Sequence, residues 1–373
     1  MNHEPEKRAR KLLLLSVGYG KGHHSAAAAL AEYYGSYGWQ PQVVDICEAA
    51  QPRLFRLSQL FYSFCVRRAP WLWGVTYRLT DAADWALLIH SPLLRPVVRY
   101  LRKLLQAEKP DLIICTYPLF AYMLDELRAR GAMDVPYAVV VTDAREISRP
   151  WVCSSAPLVT VPDAGSRHLI LERYAKASNS IVDAGFPVRR AFAPSSARRT
   201  PTKDGLRILY GAYRQIGGIL SDVASLLHEF PALHLTVLGG RHTGRIRKVF
   251  EDYCAAGRLV VISETPHMAQ ILPESHLYIG KAGASTMFEC YASCVPMLVN
   301  FLLPGQEEGN LELLLEDGAG CHVASTAHMI DTIRCLLAHG AKEWECMRRN
   351  MIAAGRQKGA ACVYAAIEEA LNV

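Results

Sequence analysis

Short, continuously apolar runs alternate along the chain with stretches whose apolar residues recur at helical spacing. Runs at 12–17, 42–46, 112–115, 137–142, 158–161 and 181–184 form a first series of predicted strands. Runs at 207–210, 234–238, 260–262, 277–279 and 297–299 form a second. Several of these runs lack the polar alternation of a half-exposed strand, so they fit strands covered on both faces. Helical periodicity occupies the intervals between, as at 25–36, 119–130 and 219–229. Strand–helix alternation of this kind predicts an α/β fold with parallel sheets and helices on both faces. It breaks at 193–205, where Pro, Ser, Gly and charge dominate, so that segment reads as a linker. The expected division is a first domain at 1–192 and a second at 206–373, with a last helix that can pack back on the first.

Length agrees with two domains of ordinary size, because 373 residues exceed what a single core usually supports. Half of the chain, 51%, is hydrophobic and 20% is charged, which excludes a disordered protein. The 11 cysteines are scattered without a Cys-x-x-Cys pair, and Cys290 and Cys294 stand four apart. That pattern suits neither a disulfide framework nor a zinc site, and no metal is expected. Most of the cysteines are expected to be small buried hydrophobes in a reducing cytoplasm. No apolar stretch approaches the ~20 residues of a membrane-spanning helix. The basic start followed by Leu12 to Leu15 superficially resembles a signal peptide, but the run ends in a Gly-rich loop without a cleavage signal, and a first strand is the better reading.

Net charge changes the picture only when it is located. The whole chain carries +6, yet residues 53–103 hold nine basic residues against Asp81 and Asp84 and so carry +7. Three of the six tryptophans, Trp71, Trp73 and Trp85, lie in this segment with Phe55, Phe61, Tyr62, Phe64 and Tyr77. Arginine interleaved with aromatic residues is the composition of an interfacial membrane-binding surface; the bland alternative is aromatic core beneath a solvated basic face. Nucleic acid is not an expected partner, since the basic residues interleave with Trp and Leu and no nucleic-acid-binding module appears.

Two loops hold the candidate chemistry. The first runs Gly18-Tyr19-Gly20-Lys21-Gly22-His23-His24 between a strand and a helix. Glycines permit a tight turn and close ligand approach, and a helix N-terminus favours negative charge. The spacing is neither G-x-G-x-x-G nor a Walker A motif, and Asp45 at the end of the second strand is not convincingly placed for a ribose. A neutral imidazole in this turn suits a general base, while helix capping or packing is the alternative. The second loop is Lys281-Ala282-Gly283-Ala284-Ser285-Thr286, with Glu289 one turn into the following helix. Its amides and hydroxyls can cradle a diphosphate, Lys281 adds charge, and a carboxylate at 289 can accept both hydrogen bonds of a ribose diol. Gln306, Glu307 and Asn310 follow the strand at 297–299 and suit sugar hydroxyls.

These residues carry a resemblance. Lys281-Ala282-Gly283 with Glu289, then Pro304-Gly305-Gln306-Glu307 and Gly309-Asn310, resembles the donor site of family 28 glycosyltransferases. Gly20-Lys21-Gly22-His23, the segment from Pro70 to Asp81, Val141-Thr142-Asp143, Val161-Pro162 and Gly185-Phe186-Pro187-Val188 are similar to the branch containing monogalactosyldiacylglycerol synthase and processive diacylglycerol glucosyltransferase. The resemblance implies the GT-B fold, two Rossmann-like domains facing a cleft. It also implies inverting transfer of a hexose from a UDP-sugar to a diacylglycerol-type lipid, without a metal, by a cytoplasmic protein peripheral to the inner face of the cell membrane. By that resemblance His23 would be the general base or the group that orients the acceptor. Gly20, Gly22, Asp143, Trp71 and Trp73 would serve the acceptor. Gly211, Met268, Lys281, Gly283, Ala284, Ser285, Thr286, Glu289, Gln306, Glu307 and Asn310 would serve the donor.

Two features depart from the branch. The loop opening the second domain, 210–218, is less Gly-rich and carries bulky residues. Ile147 or Ser148 stands where a histidine usually precedes the tryptophan, here Trp151. The rival expectations are a UDP-N-acetylglucosamine transferase acting on a polyprenyl-diphosphate acceptor, and a sugar-nucleotide-binding protein without turnover.

Overall fold

Burial of one strand on two sides explains the architecture. In β1 (Lys11–Ser16) the four leucines 12 to 15 are at most 1% exposed. Leu13 and Leu15 pack with Ile113, Cys115 and Val139 on one face. Leu12 and Leu14 pack with Leu112, Ile114, Ala138, Val363 and Ile367 on the other. Each such leucine contributes about 1.5–3 kcal/mol of transfer free energy, so β1 is fixed between two helical layers. The computed structural model describes residues 8–19, 22–68, 70–174, 180–196, 200–202, 205–263, 265, 267–303 and 307–373.

β2 (Gln40–Asp45), β3 (Leu112–Cys115), β4 (Tyr137–Val140), β5 (Leu158–Val161) and β6 (Ile181–Asp183) join β1 in one parallel sheet of order β2-β1-β3-β4-β5-β6. β7 (Arg207–Gly211), β8 (His234–Leu238), β9 (Leu259–Ile262), β10 (Leu277–Lys281), β11 (Met297–Phe301) and β12 (Gly320–His322) form a second parallel sheet, β12-β11-β10-β7-β8-β9. The strand order reverses at β1/β3 in the first and at β7/β10 in the second. Such a switch point opens a crevice outside the carboxyl ends of its strands, where α/β sheets take ligands. β12 was not expected; Gly-Cys-His is too short and too poor in branched residues to signal a strand.

The chain divides into two compact units, one reaching to Arg189 and regaining Lys358–Val373, the other holding Arg190–Leu303 and Glu307–Gln357. No helix or strand occurs among the described residues of 193–205. The last helix, Gly359–Leu371, packs in the first unit against the helix Gly22–Gly35 and against β4 and β5. Its approach needs two glycines. Gly185 has φ +85°, and a Cβ there would lie 2.9 Å from Gly359 Cα. A Cβ on Gly359 would overlap the Phe186 carbonyl oxygen. Gly359→Ala is expected to cost about 1–3 kcal/mol and lower the thermal midpoint by several degrees, read by calorimetry. An unchanged midpoint would mean that the helix docks elsewhere.

Residues 53–103 are mostly helical: Pro52–Arg68, Pro70–Ala82, Trp85–Leu88 and Arg95–Glu108. The aromatic residues of the segment divide between two fates. Phe55 is buried, Tyr62 turns inward, and Trp85 lies 6.1 Å from Tyr122 while donating its indole N–H to the Thr80 carbonyl. Leu57, Leu60, Phe61 and Phe64 line the outer face of the first helix, and Trp71, Val75 and Leu79 that of the second; all are exposed. No described helix is long and apolar enough to cross a membrane. The cysteines differ from expectation. Only Cys65, Cys115, Cys290 and Cys294 are buried, because most of the others fall on helix faces that the sheets do not cover.

Candidate active site

In the first unit, β1 delivers the chain to the switch point and two neighbours clamp the turn. Gly18 N–H donates to Asp45 Oδ2 at 2.8 Å, and its carbonyl accepts from Gln59 Nε2 at 2.9 Å. The Tyr19 hydroxyl pairs with Ser58 Oγ at 2.8 Å, and its ring meets Phe55 edge-on at 5.4 Å. Phe55, Ser58, Gln59 and Tyr62 share one face of the helix Pro52–Arg68, so that helix grips the loop. Asp45, weighed above as a ribose ligand, instead anchors Gly18 and caps the short helix Ile46–Ala50. Gly20 lies outside the described residues, and Gly22 opens the helix Gly22–Gly35.

His23 sits in the first turn of that helix, its Nδ1 2.8 Å from Thr142 Oγ1 at the end of β4. Tyr117, beyond β3, meets the imidazole edge-on at 5.2 Å, and Trp151 lies 6.1 Å away. Burial holds His23 down to about 4; a hydrogen bond to the Thr116 backbone opposes this, and the His24 charge adds to the lowering. The ring is therefore neutral at neutral pH. His24 points elsewhere, with Nε2 3.8 Å from Asp45 Oδ2, so the two imidazoles part, one toward Thr142 and Tyr117 and the other toward Asp45. Asp143 is buried and accepts the Trp151 indole N–H at 2.9 Å, which sets Trp151 beside His23. Ile147 is core, and Ser148 leads into the turn Arg149–Trp151; neither is a histidine substitute. Trp71 is exposed on the helix Pro70–Ala82; Trp73 lies on the same helix, with its side chain outside the description.

In the second unit, β10 ends at Lys281 and Gly283 leads into the helix Ala284–Ser293, which no side chain caps. The leading amides of Ala284, Ser285 and Thr286 and the positive end of the helix form an anion-binding cradle. Lys281 Nζ pairs with the buried Glu307 carboxylate and lies above Gly283, where a Cβ would be 2.7 Å away. Glu307 also accepts the Leu303 N–H at 3.0 Å. Glu289 is 7% exposed and accepts from the Ser285 hydroxyl at 3.2 Å. Asn310 is buried and donates to the Ala282 carbonyl at 2.9 Å, so it shapes the loop from below. Met268 opens a short helix after β9. Gln306 lies outside the described residues. Gly211 ends β7 at the switch point, and the bulky loop after it is pinned: Arg214 meets both oxygens of the fully buried Asp222 at 2.9 Å, and Tyr210 donates to the same carboxylate at 2.7 Å.

The sequence reading passed over Tyr117, Thr142 as the partner of His23, and the side chains of Tyr213 and Tyr278, both of which lie against Gly211. The first two follow strands that flank or neighbour the switch point, a signal that requires the strand order.

Solved structures share this arrangement. The structure of MurG from Acinetobacter baumannii aligns with a TM-score of 0.57 at 14% identity over 96% of this chain and 99% of that one. The UDP-GlcNAc 2-epimerase of Neisseria meningitidis, bound to UDP-GlcNAc, aligns at 0.59 and 14% over 96% and 100%. Among curated sequences, an uncharacterised glycosyltransferase of Bacillus subtilis is 26% identical across 79% of each chain. The fold is thus GT-B, and the protein is a glycosyltransferase. More narrowly, residues 23–188 match the family model of monogalactosyldiacylglycerol (MGDG) synthase. It is 26% identical to the chloroplastic monogalactosyldiacylglycerol synthase of Spinacia oleracea, covering 94% of this chain and 70% of that one. It is 25% identical to the processive diacylglycerol beta-glucosyltransferase of Staphylococcus carnosus, covering 90% and 88%.

Proposed function

We propose that this enzyme transfers a hexose, with inversion, from a UDP-sugar to the free hydroxyl of a diacylglycerol-type lipid while docked on the inner face of the cell membrane. One observation carries the lipid assignment. The helix Pro52–Arg68 holds the His23 loop with one face and exposes Leu57, Leu60, Phe61 and Phe64 on the other. An acceptor whose chains cost about 0.8 kcal/mol per CH₂ in water stays in the bilayer, so the enzyme must come to it. An apolar stripe fixed to the catalytic loop suits that approach, and exposed Arg53 and Arg56 beside it suit an anionic leaflet.

In the reaction we assign, the acceptor oxygen attacks the anomeric carbon and its proton passes to His23 Nε2, the nitrogen not engaged by Thr142. The bond from the anomeric carbon to the UDP oxygen breaks, and UDP leaves with the electron pair. The cradle at Ala284–Thr286 and Lys281 face the charge that develops on the diphosphate, so we assign no metal to that task.

The test is mass spectrometry of lipid products after incubation with several UDP-sugars and vesicles containing diacylglycerol. A hexosyl-diacylglycerol is expected. Product formed only from UDP-N-acetylglucosamine and a polyprenyl-diphosphate acceptor would overturn the lipid assignment, and UDP binding without any turnover would make the protein a binder. Docking is read separately by vesicle sedimentation. Arg53→Glu with Arg56→Glu should weaken binding to anionic vesicles, as should high salt. Leu57→Ser with Phe61→Ser and Trp71→Ala should weaken binding even to neutral vesicles. Unchanged sedimentation in both sets would return this surface to ordinary solvent exposure.

A further inference from the structure

Tyr278, on β10, is completely buried, yet among the described residues its hydroxyl meets no partner in good hydrogen-bond geometry; the neighbouring Tyr213 side chain is the one polar group that approaches it, and poorly aligned. A buried hydroxyl left so destabilises the protein unless something outside the chain completes it. Its position is informative. The side chain leans along the strand past Gly280, where a Cβ would stand 2.5 Å from the hydroxyl oxygen. A Cβ on Gly211, at the end of β7, would stand 2.8 Å from the same atom. The oxygen therefore lies between the carboxyl ends of β7 and β10, at the switch point, where two glycines leave the backbone open to close approach.

The ring of Tyr213 covers this place. It rests on Gly211, where a Cβ would be 2.5 Å from the ring edge, and its centroid is 5.7 Å from Lys281 Nζ. The backbone beneath the ring is held: Tyr213 N–H donates to the Gly211 carbonyl at 3.0 Å, and Arg214 is fixed to Asp222. The side chain itself is 40% exposed. Rotation of an exposed side chain is a fast motion and asks nothing of the held backbone. Lys281 and the uncapped helix end make the surroundings attractive to an anion.

We propose that Tyr278 is a donor-binding residue of this site, its hydroxyl donating to a phosphate oxygen of the nucleoside-diphosphate sugar once the Tyr213 ring swings off Gly211. The inference rests on the donor site described above. It goes beyond that site in adding a buried hydroxyl and a removable aromatic plug that glycine-rich loops do not carry.

Calorimetric titration of UDP into the full-length protein tests it, with thermal midpoints measured alongside. Tyr278→Phe keeps the packing and removes one oxygen. Its ligand-free midpoint should equal or exceed that of the wild type, while its UDP dissociation constant should rise about tenfold. This opposition marks a binding role, because a structural hydroxyl would lower the midpoint when lost. Tyr213→Ala removes the plug and should tighten UDP binding several-fold. Wild-type affinity in Tyr278→Phe overturns the proposal, leaving water as the partner of that hydroxyl. Weaker UDP binding in Tyr213→Ala overturns the plug. Failure of the wild type to bind UDP refutes the donor site itself and this inference with it.

Discussion

Replacing His23 with alanine is expected to slow hexose transfer by about 10²–10⁴-fold while leaving UDP affinity unchanged. The imidazole lies in the first unit, whereas the diphosphate cradle belongs to the second, so the variant should separate transfer from donor binding. The pH profile gives an independent check. A general base must be unprotonated, so activity is lost as pH falls through its pKa. Burial moves that point from the ordinary 6.5 down to about 4. The kcat/KM of the wild type should stay level from pH 7 to about 5 and fall only below that, because this ratio reports the free enzyme. An acid limb near the ordinary 6.5 would rule out His23 as the base. Wild-type turnover in the alanine variant would do the same. Asp143 is a poor substitute, since its carboxylate already holds the Trp151 indole.

Glu289→Ala should raise the UDP dissociation constant by about 30-fold to about 1,000-fold, the equivalent of roughly 2–4 kcal/mol, with the fold intact. The carboxylate is nearly enclosed, and its described partner is the Ser285 hydroxyl one turn earlier, so it is poised at the mouth of the uncapped helix. A ribose diol there would gain two charge-assisted hydrogen bonds. Removing the side chain deletes both at once, whereas Glu289→Gln retains one acceptor and should lose less. Unchanged UDP affinity in the alanine variant would exclude Glu289 from the donor site.

The strands were legible because a strand enclosed by two helical layers needs nearly unbroken apolar sequence, as Leu12 to Leu15 show. β12 was hidden because an edge strand of Gly, Cys and His satisfies no such demand. The two loops were legible as chemistry, but not the direction of each polar side chain. Asn310 and Asp45 have the composition of ligand-binding residues and spend hydrogen bonds on their own backbone. Sequence cannot make that distinction, since an amide or carboxylate serves a sugar and a peptide group equally well. The charge count at 53–103 located a surface, but only the helical register separates inward Phe55 and Trp85 from outward Phe61 and Trp71. Tyr278 gave no signal, for a tyrosine in an apolar run reads as core until its buried hydroxyl is seen between the strand ends without a well-aligned partner among the described residues.

The return of the helix Gly359–Leu371 to the first unit sets an order of events during synthesis. Leu12 and Leu14 leave the ribosome early, but Val363 and Ile367, which cover them, are made only after the entire second unit. Between Arg189 and Gly359 lie 169 residues. At about 5–20 residues per second, one face of the first sheet waits roughly 10–30 s without its cover. A nascent chain with an apolar sheet face open for that time is a substrate for chaperones. A messenger that stops short of the last helix would yield a polypeptide whose second unit is complete and whose first is left sticky, and the cell's quality control should remove it.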